Sequence, residues 1–138
     1  NGFKAQGLSI FEGIAVASIV LKETDNPSDQ PIVAQVLLTR LSRKIALQAD
    51  ATAYYASAIA GRPRSLSIDS LYNTYLYPGL PPGPISNVTK EALRAVANPA
   101  KSSFVYYFTG EDCKMHYTYT LEEHLAAIEK YGVKSCSK

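Results

Sequence analysis

The sequence has 138 residues, a formal net charge of +2 and 19% charged residues, which is the size of one domain with a sizeable core. Its 14 lysines and arginines are scattered, whereas a nucleic-acid-binding surface concentrates basic residues in a stripe, so nucleic acid is not a predicted partner. No apolar run reaches the roughly 20 residues of a membrane span, and no phosphate-loop, dinucleotide-binding or zinc-site pattern occurs, so neither a metal nor a cofactor is predicted.

The first strong signal is a helix start at Ser9 and Glu12, which form a capping box before an apolar run. The helix that follows has so little polar surface that we expect it to be central and buried. Three positions that precede Glu23 by three, four and seven residues are apolar: Val20, Ile19 and Val16. The Glu23 carboxyl therefore emerges on an apolar stripe, where its pKa should be raised, as a general acid at neutral pH requires. The alternative is a solvated glutamate at the helix end that pairs with Lys22.

Hydrophobic spacing and boundary residues predict three further helices, over residues 29–44, 51–60 and 89–97. Two β-rich runs, residues 103–108 and 115–119, are joined by a short polar turn and predict a hairpin. Helices and antiparallel strands thus occupy separate parts of the chain, which indicates an α+β fold in a single domain.

A second capping box, formed by Thr120 and Glu123, begins a terminal helix that ends at Gly132. We expect this helix to fold back across the hairpin and to bury three apolar side chains, Leu121, Leu125 and Ile128.

The loop of residues 72–87 holds four prolines, two glycines and three tyrosines. Such a segment is too rich in proline for a helix interior or a central strand. A rigid loop that presents aromatic faces and amide groups suits a sugar ligand, because aromatic rings cover the apolar faces of a pyranose and Asn or Thr meets its hydroxyls. The alternative is a surface Ω-loop anchored by buried tyrosines.

Seven blocks of sequence follow one another along the chain: ASIVLKET (17–24), the helix ending in Arg40-Leu41, LQAD (47–50), YNTY (72–75), GLPPGPISN (79–87), ALRAVANPAK (92–101) and TLEEH (120–124). In this order they resemble the catalytic domain of the YceG-like (MltG) endolytic murein transglycosylases. The resemblance implies cleavage of the bond between N-acetylmuramic acid and N-acetylglucosamine in peptidoglycan, leaving a 1,6-anhydro end. It places the single catalytic carboxylate, acid and then base, on Glu23 in a lysozyme-like cleft.

Six residues are expected to contact the glycan strand: Gln48, Asp50, Tyr72, Asn73, Tyr75 and His116. The tyrosines could equally be packing residues of the core. Hydrolysis with two carboxylates is the rival chemistry, and it needs a second Asp or Glu roughly 5–9.5 Å from the acid. Asp50 is the best candidate for that role and Asp69 the next, although a loop-forming role for Asp50 is the favoured interpretation.

Three positions depart from the family pattern: Leu21, Thr39 and Leu125. Many relatives carry glutamate or glutamine at the first, and asparagine at the other two. Leu21 and Thr39 suggest an alternative function, a catalytically silent peptidoglycan-binding or divisome scaffold module. Glu23 is the better match to the essential acid than position 21, because it keeps the Glu-Thr pair.

The resemblance also implies a location. Residues 1–138 are expected to be a catalytic domain from a longer protein, anchored by an N-terminal membrane helix at the extracytoplasmic face of the bacterial cell membrane. The expected partners are peptidoglycan glycan strands and peptidoglycan synthases. In that oxidising compartment the only two cysteines, Cys113 and Cys136, should form a disulfide bond that holds the C-terminus to the hairpin turn.

Overall fold

The computed structural model describes residues 2–134. This part of the chain contains α1 (Gly2–Ala5), α2 (Ile10–Glu23), α3 (Gln30–Ser42), α4 (Asp50–Ile59), α5 (Lys90–Ala97), β1 (Tyr106–Thr109), β2 (Met115–Thr118) and α6 (Leu121–Tyr131). The arrangement confirms the predicted α+β class and each predicted helix, whereas the four-residue α1 is too short to show a period and was not predicted. Within residues 2–134, none of the helices has the length and apolar character needed to cross a membrane.

Helix α2 lies at the centre of the fold and packs against α3, α4 and α5. It begins as predicted: the Glu12 N–H donates to Ser9 Oγ at 3.1 Å, and the Ser9 N–H donates to Glu12 Oε1 at 2.9 Å. Residues 15–20 are all buried. The helix ends at Glu23 because Thr24 adopts an extended conformation. The Glu23 carboxyl group therefore lies at the edge of the core, after the most buried part of the helix.

The first turn of α2 is more exposed than predicted. The side chains of Ile10 and Phe11 are 64% and 57% exposed. Ile10 lines an open groove together with Phe3, Ile14 and Leu93. The expectation of a helix buried along its whole length is therefore wrong for this turn, since an apolar pattern does not reveal where a neighbouring element stops covering it.

The hairpin pairs β1 with β2 antiparallel, and Tyr107 lies opposite Tyr117 while Phe108 lies opposite His116. Strand β1 starts three residues later than predicted. The reason is Gln35 of α3, whose side-chain amide accepts from the Phe104 N–H at 3.2 Å and donates to the Phe104 carbonyl at 3.0 Å. These bonds hold the approach to β1 against α3 instead of in the sheet.

Helix α6 covers the outer face of the hairpin through His124 and Tyr131, on the same helical face as the partly buried Ile128. The His124 ring stacks on Tyr106 with centroids 4.9 Å apart. The predicted burial of Leu121 and Leu125 is wrong, because these side chains lie on the flank of the helix and are 54% and 56% exposed.

Two threonines join the loop of residues 72–87 to the start of α4. The Thr74 hydroxyl lies 2.7 Å from the Thr52 hydroxyl and accepts from the buried Ala49 N–H at 3.0 Å. At the other end of the loop, the Ile85 N–H donates to Ser18 Oγ of α2 at 3.0 Å. The proline-rich loop is thus fixed to two helices at once.

We predict that Thr74→Val lowers the free energy of unfolding by about 1–3 kcal/mol, because it leaves the buried Ala49 N–H without an acceptor. Thr118→Val is the matched control: the Thr118 hydroxyl is buried and has no hydrogen-bond partner within residues 2–134. That change should be neutral or stabilising. Urea unfolding measures both, and equal losses would contradict the role given to Thr74.

Candidate active site

The Glu23 carboxyl group lies partly buried at the end of α2. Its Oε1 accepts a hydrogen bond from the Tyr107 hydroxyl at 2.6 Å. Burial raises the pKa of Glu23 from its ordinary 4.5 to about 7; the Tyr107 hydrogen bond opposes this and the negative charge of Asp50 adds to it. A carboxyl group in this state holds a proton part of the time at neutral pH, which a general acid must do.

Tyr107 reaches Glu23 because strand alternation turns it toward the helices, while Phe108 turns toward α6. Its cross-strand neighbour Tyr117 points in the same direction and donates to Oδ1 of Asp29, the residue just before α3, at 2.8 Å. Burial, with the nearby Glu23 charge, raises the pKa of Tyr107 well above its ordinary value. Tyr107 therefore remains a neutral phenol and donates a hydrogen bond to the carboxyl group.

Arg40 supports the strand that carries Tyr107. The side chain is buried; its Nε donates to the Val105 carbonyl and its Nη1 to the Ala46 carbonyl, both at 2.7 Å. Its guanidinium lies 4.8 Å from the centre of the Tyr106 ring. Burial lowers the pKa of Arg40. Arg40 thus holds the start of β1 by donating to two carbonyl groups, and the hydrogen bond to Glu23 comes from the Tyr107 phenol.

Asp50 and Tyr75 form a second polar pair beside Glu23. The Tyr75 hydroxyl donates to Asp50 Oδ1, at the start of α4. Burial raises the pKa of Tyr75, and the Asp50 hydrogen bond and the charges of Asp50 and Glu23 add to the effect. Tyr75 is thus a neutral donor within electrostatic reach of both carboxylates. We call Glu23, Tyr107, Arg40, Asp50 and Tyr75 the Glu23 cluster.

Gln48 is accessible to a ligand, whereas Asn73 is not. Gln48 is exposed with a φ of 53°, and its N–H donates to the Thr74 carbonyl at 3.3 Å. Asn73 is fully buried. Its amide donates to the carbonyls of Leu66 and Ile68 at 3.0 and 2.8 Å, and its Oδ1 accepts from the Tyr75 N–H at 3.0 Å. Asn73 thus holds Tyr75 in place from inside the loop.

Tyr72 and His116 do not join the Glu23 cluster. The Tyr72 ring is partly buried and packs on Tyr55 with centroids 5.0 Å apart. His116 lies on the outer face of the hairpin, stacked on Tyr131 at 3.9 Å, with its Nε2 3.0 Å from an Asp112 carboxylate oxygen. Strand alternation therefore directs it away from Tyr107.

The hairpin turn contains Cys113, which has a φ of 60°. Its predicted disulfide partner Cys136 lies outside the described residues, so the bond stays a prediction. Within residues 2–134, no three His, Cys, Asp or Glu side chains are grouped as a metal site would require.

The sequence interpretation missed Tyr107 as a member of the site, and it used Arg40 only as part of a motif. Strand periodicity gives one useful signal, since Tyr107 and Tyr117 share a face of the hairpin. That signal does not say which helix the face meets. The residue that Tyr107 contacts lies 84 positions earlier in the chain.

We predict that the contribution of Glu23 to the free energy of unfolding decreases as pH rises from about 4.5 to about 7, because the unfolded chain releases the Glu23 proton earlier than the folded protein does. The full effect is up to about 3 kcal/mol. Glu23→Gln removes it, so the variant should gain stability relative to the wild type between about pH 4 and about pH 8. Urea unfolding of both proteins over this pH range measures the difference between their free energies of unfolding, in which the contributions of other titrating groups cancel. A difference that does not change with pH would contradict the raised pKa of Glu23.

Comparison with known proteins gives one consistent result. The chain matches the YceG-like family over residues 2–130. It is 35% identical over 134 residues to an endolytic murein transglycosylase from Bacillus subtilis, covering 93% of this chain and 36% of the relative. A protein of the same name from Streptococcus pneumoniae is 32% identical over 130 residues, covering 88% of this chain and 24% of the relative.

Among solved structures, a yceG-like protein from Listeria monocytogenes superposes with a TM-score of 0.80 at 34% identity, covering 91% of this chain and 42% of that one. The chain thus spans about a third or less of the length of the curated relatives it matches. The family match covers almost the whole chain, and the fold agrees with it. The chain therefore belongs to the YceG-like family.

Proposed function

We propose that the chain is the catalytic part of a lytic transglycosylase that cleaves the bond between N-acetylmuramic acid and N-acetylglucosamine within peptidoglycan strands. The single observation that carries this proposal is the Glu23 carboxyl at the end of a buried helix, with a pKa raised to about 7 and a phenol as its hydrogen-bond donor. The relatives named endolytic murein transglycosylase support the substrate class.

In the first step, protonated Glu23 gives its proton to the glycosidic oxygen as the bond from that oxygen to C1 of N-acetylmuramic acid breaks. The acetamido oxygen of the substrate stabilises the positive charge that develops at C1. Tyr107 donates to the Glu23 oxygen throughout, so the carboxylate that forms already has one hydrogen bond.

In the second step, the Glu23 carboxylate takes the proton from the C6 hydroxyl, and the C6 oxygen forms a bond to C1. The anhydro ring closes, Glu23 is protonated again, and no water is consumed. Water competes with the C6 hydroxyl, so a site that limits its access favours this product. Tyr75, beside the two carboxylates, and the exposed Gln48 are the residues we place next to the sugar, with Asn73 holding Tyr75.

The departures from the family pattern fit an active enzyme. Leu21 packs against the hydrophobic core, two positions before the carboxyl group that receives the Tyr107 hydrogen bond. Thr39 accepts a hydrogen bond from the Gln35 amide at 2.7 Å, within α3. Neither position lies in the Glu23 cluster, so neither favours the silent binding module over the enzyme.

The remaining parts of the proposal concern the setting of the reaction. We infer that the chain acts on the extracytoplasmic face of the bacterial membrane as part of a longer, membrane-anchored protein, where peptidoglycan is found. A peptidoglycan synthase is the expected protein partner, because newly made strands are the substrate that such an enzyme would meet.

We predict that Glu23→Gln lowers the rate of fragment release from purified peptidoglycan by at least about 100-fold, because glutamine has the same shape and cannot deliver a proton. Glu129→Gln, an exposed change on α6, is the matched control and should be without effect. Mass spectrometry of the released muropeptides should show 1,6-anhydro ends without oxygen from labelled water. Labelled reducing ends, abolished by Asp50→Asn, would instead support hydrolysis with two carboxylates.

We predict that Tyr107→Phe shifts the alkaline limb of the pH–rate profile to higher pH, because the lost hydrogen bond no longer lowers the pKa of Glu23. The variant should also lower kcat, since the carboxylate loses its donor. Tyr117→Phe is the control: the same change on the same face of the hairpin, where the hydroxyl meets Asp29. Identical pH profiles in all three proteins would exclude a role for Tyr107 in tuning the acid.

A further inference from the structure

An open cavity of about 680 Å³ lies at the turn that follows α4. Three apolar residues and five polar ones line it, and the polar ones are Arg62, Arg64, Ser65, Ser67 and Asp69. The steps proposed for Glu23 do not use this cavity.

The cavity is built on a fixed loop. Gly61 takes a φ of 66°, which turns the chain sharply after α4. The Arg62 N–H donates to the Ser57 carbonyl at 2.9 Å, and the Ser65 N–H to the buried Ser57 hydroxyl at 3.2 Å. The buried Asn73 amide binds the carbonyls of two further loop residues. Because the loop is already held in one conformation, it loses little conformational entropy when a ligand binds.

The two arginines have unused donors. Neither guanidinium forms an ion pair or a hydrogen bond with another side chain of residues 2–134. Arg64 lies over the ring of Tyr54, 4.8 Å from its centre. The only carboxylate of the lining, Asp69, accepts a hydrogen bond from the Tyr77 hydroxyl at 2.7 Å. Arg64 is therefore oriented by an aromatic face and free to bind an anion.

The cavity adjoins the Glu23 cluster through α4. Tyr54 lies one helical turn after Asp50, on the same face of the helix and roughly 6 Å along its axis. Tyr54 also lies within electrostatic range of Tyr75. A strand positioned at Glu23 and Asp50 that continues along α4 would next meet Tyr54 and then Arg64.

We propose that this cavity, the Arg62–Arg64 site, binds carboxylate groups carried by the muramic acid units of the substrate. Guanidinium groups bind carboxylates through two parallel hydrogen bonds, which suits the unused donors of this loop. The proposal rests on the peptidoglycan substrate of the proposed function. Two sources carry the same chemistry: the lactyl carboxylate of a strand without peptides, and the carboxylates of the stem peptide.

The test measures binding by the non-cleaving Glu23→Gln chain to three soluble strands: one with stem peptides, one stripped of peptides, and one stripped with its lactyl carboxyls converted to methylamides. At least one carboxylate-bearing strand should bind about tenfold more tightly than the methylamide, the effect of one charge-assisted hydrogen bond. The preferred strand identifies the source. Adding Arg62→Gln and Arg64→Gln together should remove the preference.

Two further variants act as controls. Arg94→Gln removes one positive charge on α5, in the separate groove lined by Phe3 and Ile10, and should leave binding unchanged. Asp69→Asn removes the negative charge of the cavity and should tighten binding to carboxylate strands. Equal binding of all three strands, or an unchanged preference in the double arginine variant, would overturn the proposal.

Cleavage is assayed separately, so the two proposals can fail separately. If the wild-type chain releases no fragments but the double arginine variant loses its carboxylate preference, the proposed reaction fails and the site stands. If fragments are released with 1,6-anhydro ends and the arginine changes affect neither KM nor binding, the site fails alone.

Discussion

The burial of residues 15–20 of α2, shortly before Glu23, is the constraint on which the candidate site depends. A charged carboxylate is costly to place at the end of such a helix without a partner. The partner that the fold supplies is a phenol, Tyr107, rather than a lysine or arginine. A cation in contact with Glu23 would favour the ionised form and lower the pKa. A neutral donor leaves the effect of burial dominant, so the group retains its proton near neutral pH.

Keeping that phenol in place requires more than the hairpin itself, since a two-stranded sheet is marginally stable alone. Gln35 and Arg40, both on α3, bind the backbone just before β1. On the other face, α6 packs its His124 ring against Tyr106. Arg40 therefore has a structural role close to the acid: its Nε and Nη1 donate to two carbonyls, and Tyr107 donates to the carboxyl group.

The sequence predicted the elements well because each helix start has a local cause, such as the capping box of Ser9 and Glu12. It also predicted the raised pKa of Glu23, since three apolar positions lie before it on the same stripe of the helix. Contacts between elements that are distant in the sequence were harder to predict. Leu125 looks like a core residue by pattern, and only the packing of α6 shows its flank to be uncovered. Asn73 and Tyr75 lie two positions apart and both carry hydrogen-bonding groups. Nothing in the local sequence shows that the Asn73 side chain is the buried one.

Helix α4 connects the Glu23 cluster with the Arg62–Arg64 site, which the sequence did not show to be neighbours. Asp50 at its first position meets Tyr75, Tyr54 one turn later meets Arg64, and Ser57 near its end fixes the backbone of the basic turn. The buried pair of Thr52 and Thr74 sets the position of this helix relative to the proline-rich loop. A shift of α4 would therefore move the neighbour of the acid and the arginines together. Glycan strands are long and regular, and a rigid helix that carries successive contacts along one face is suited to hold such a ligand in register with a single acid.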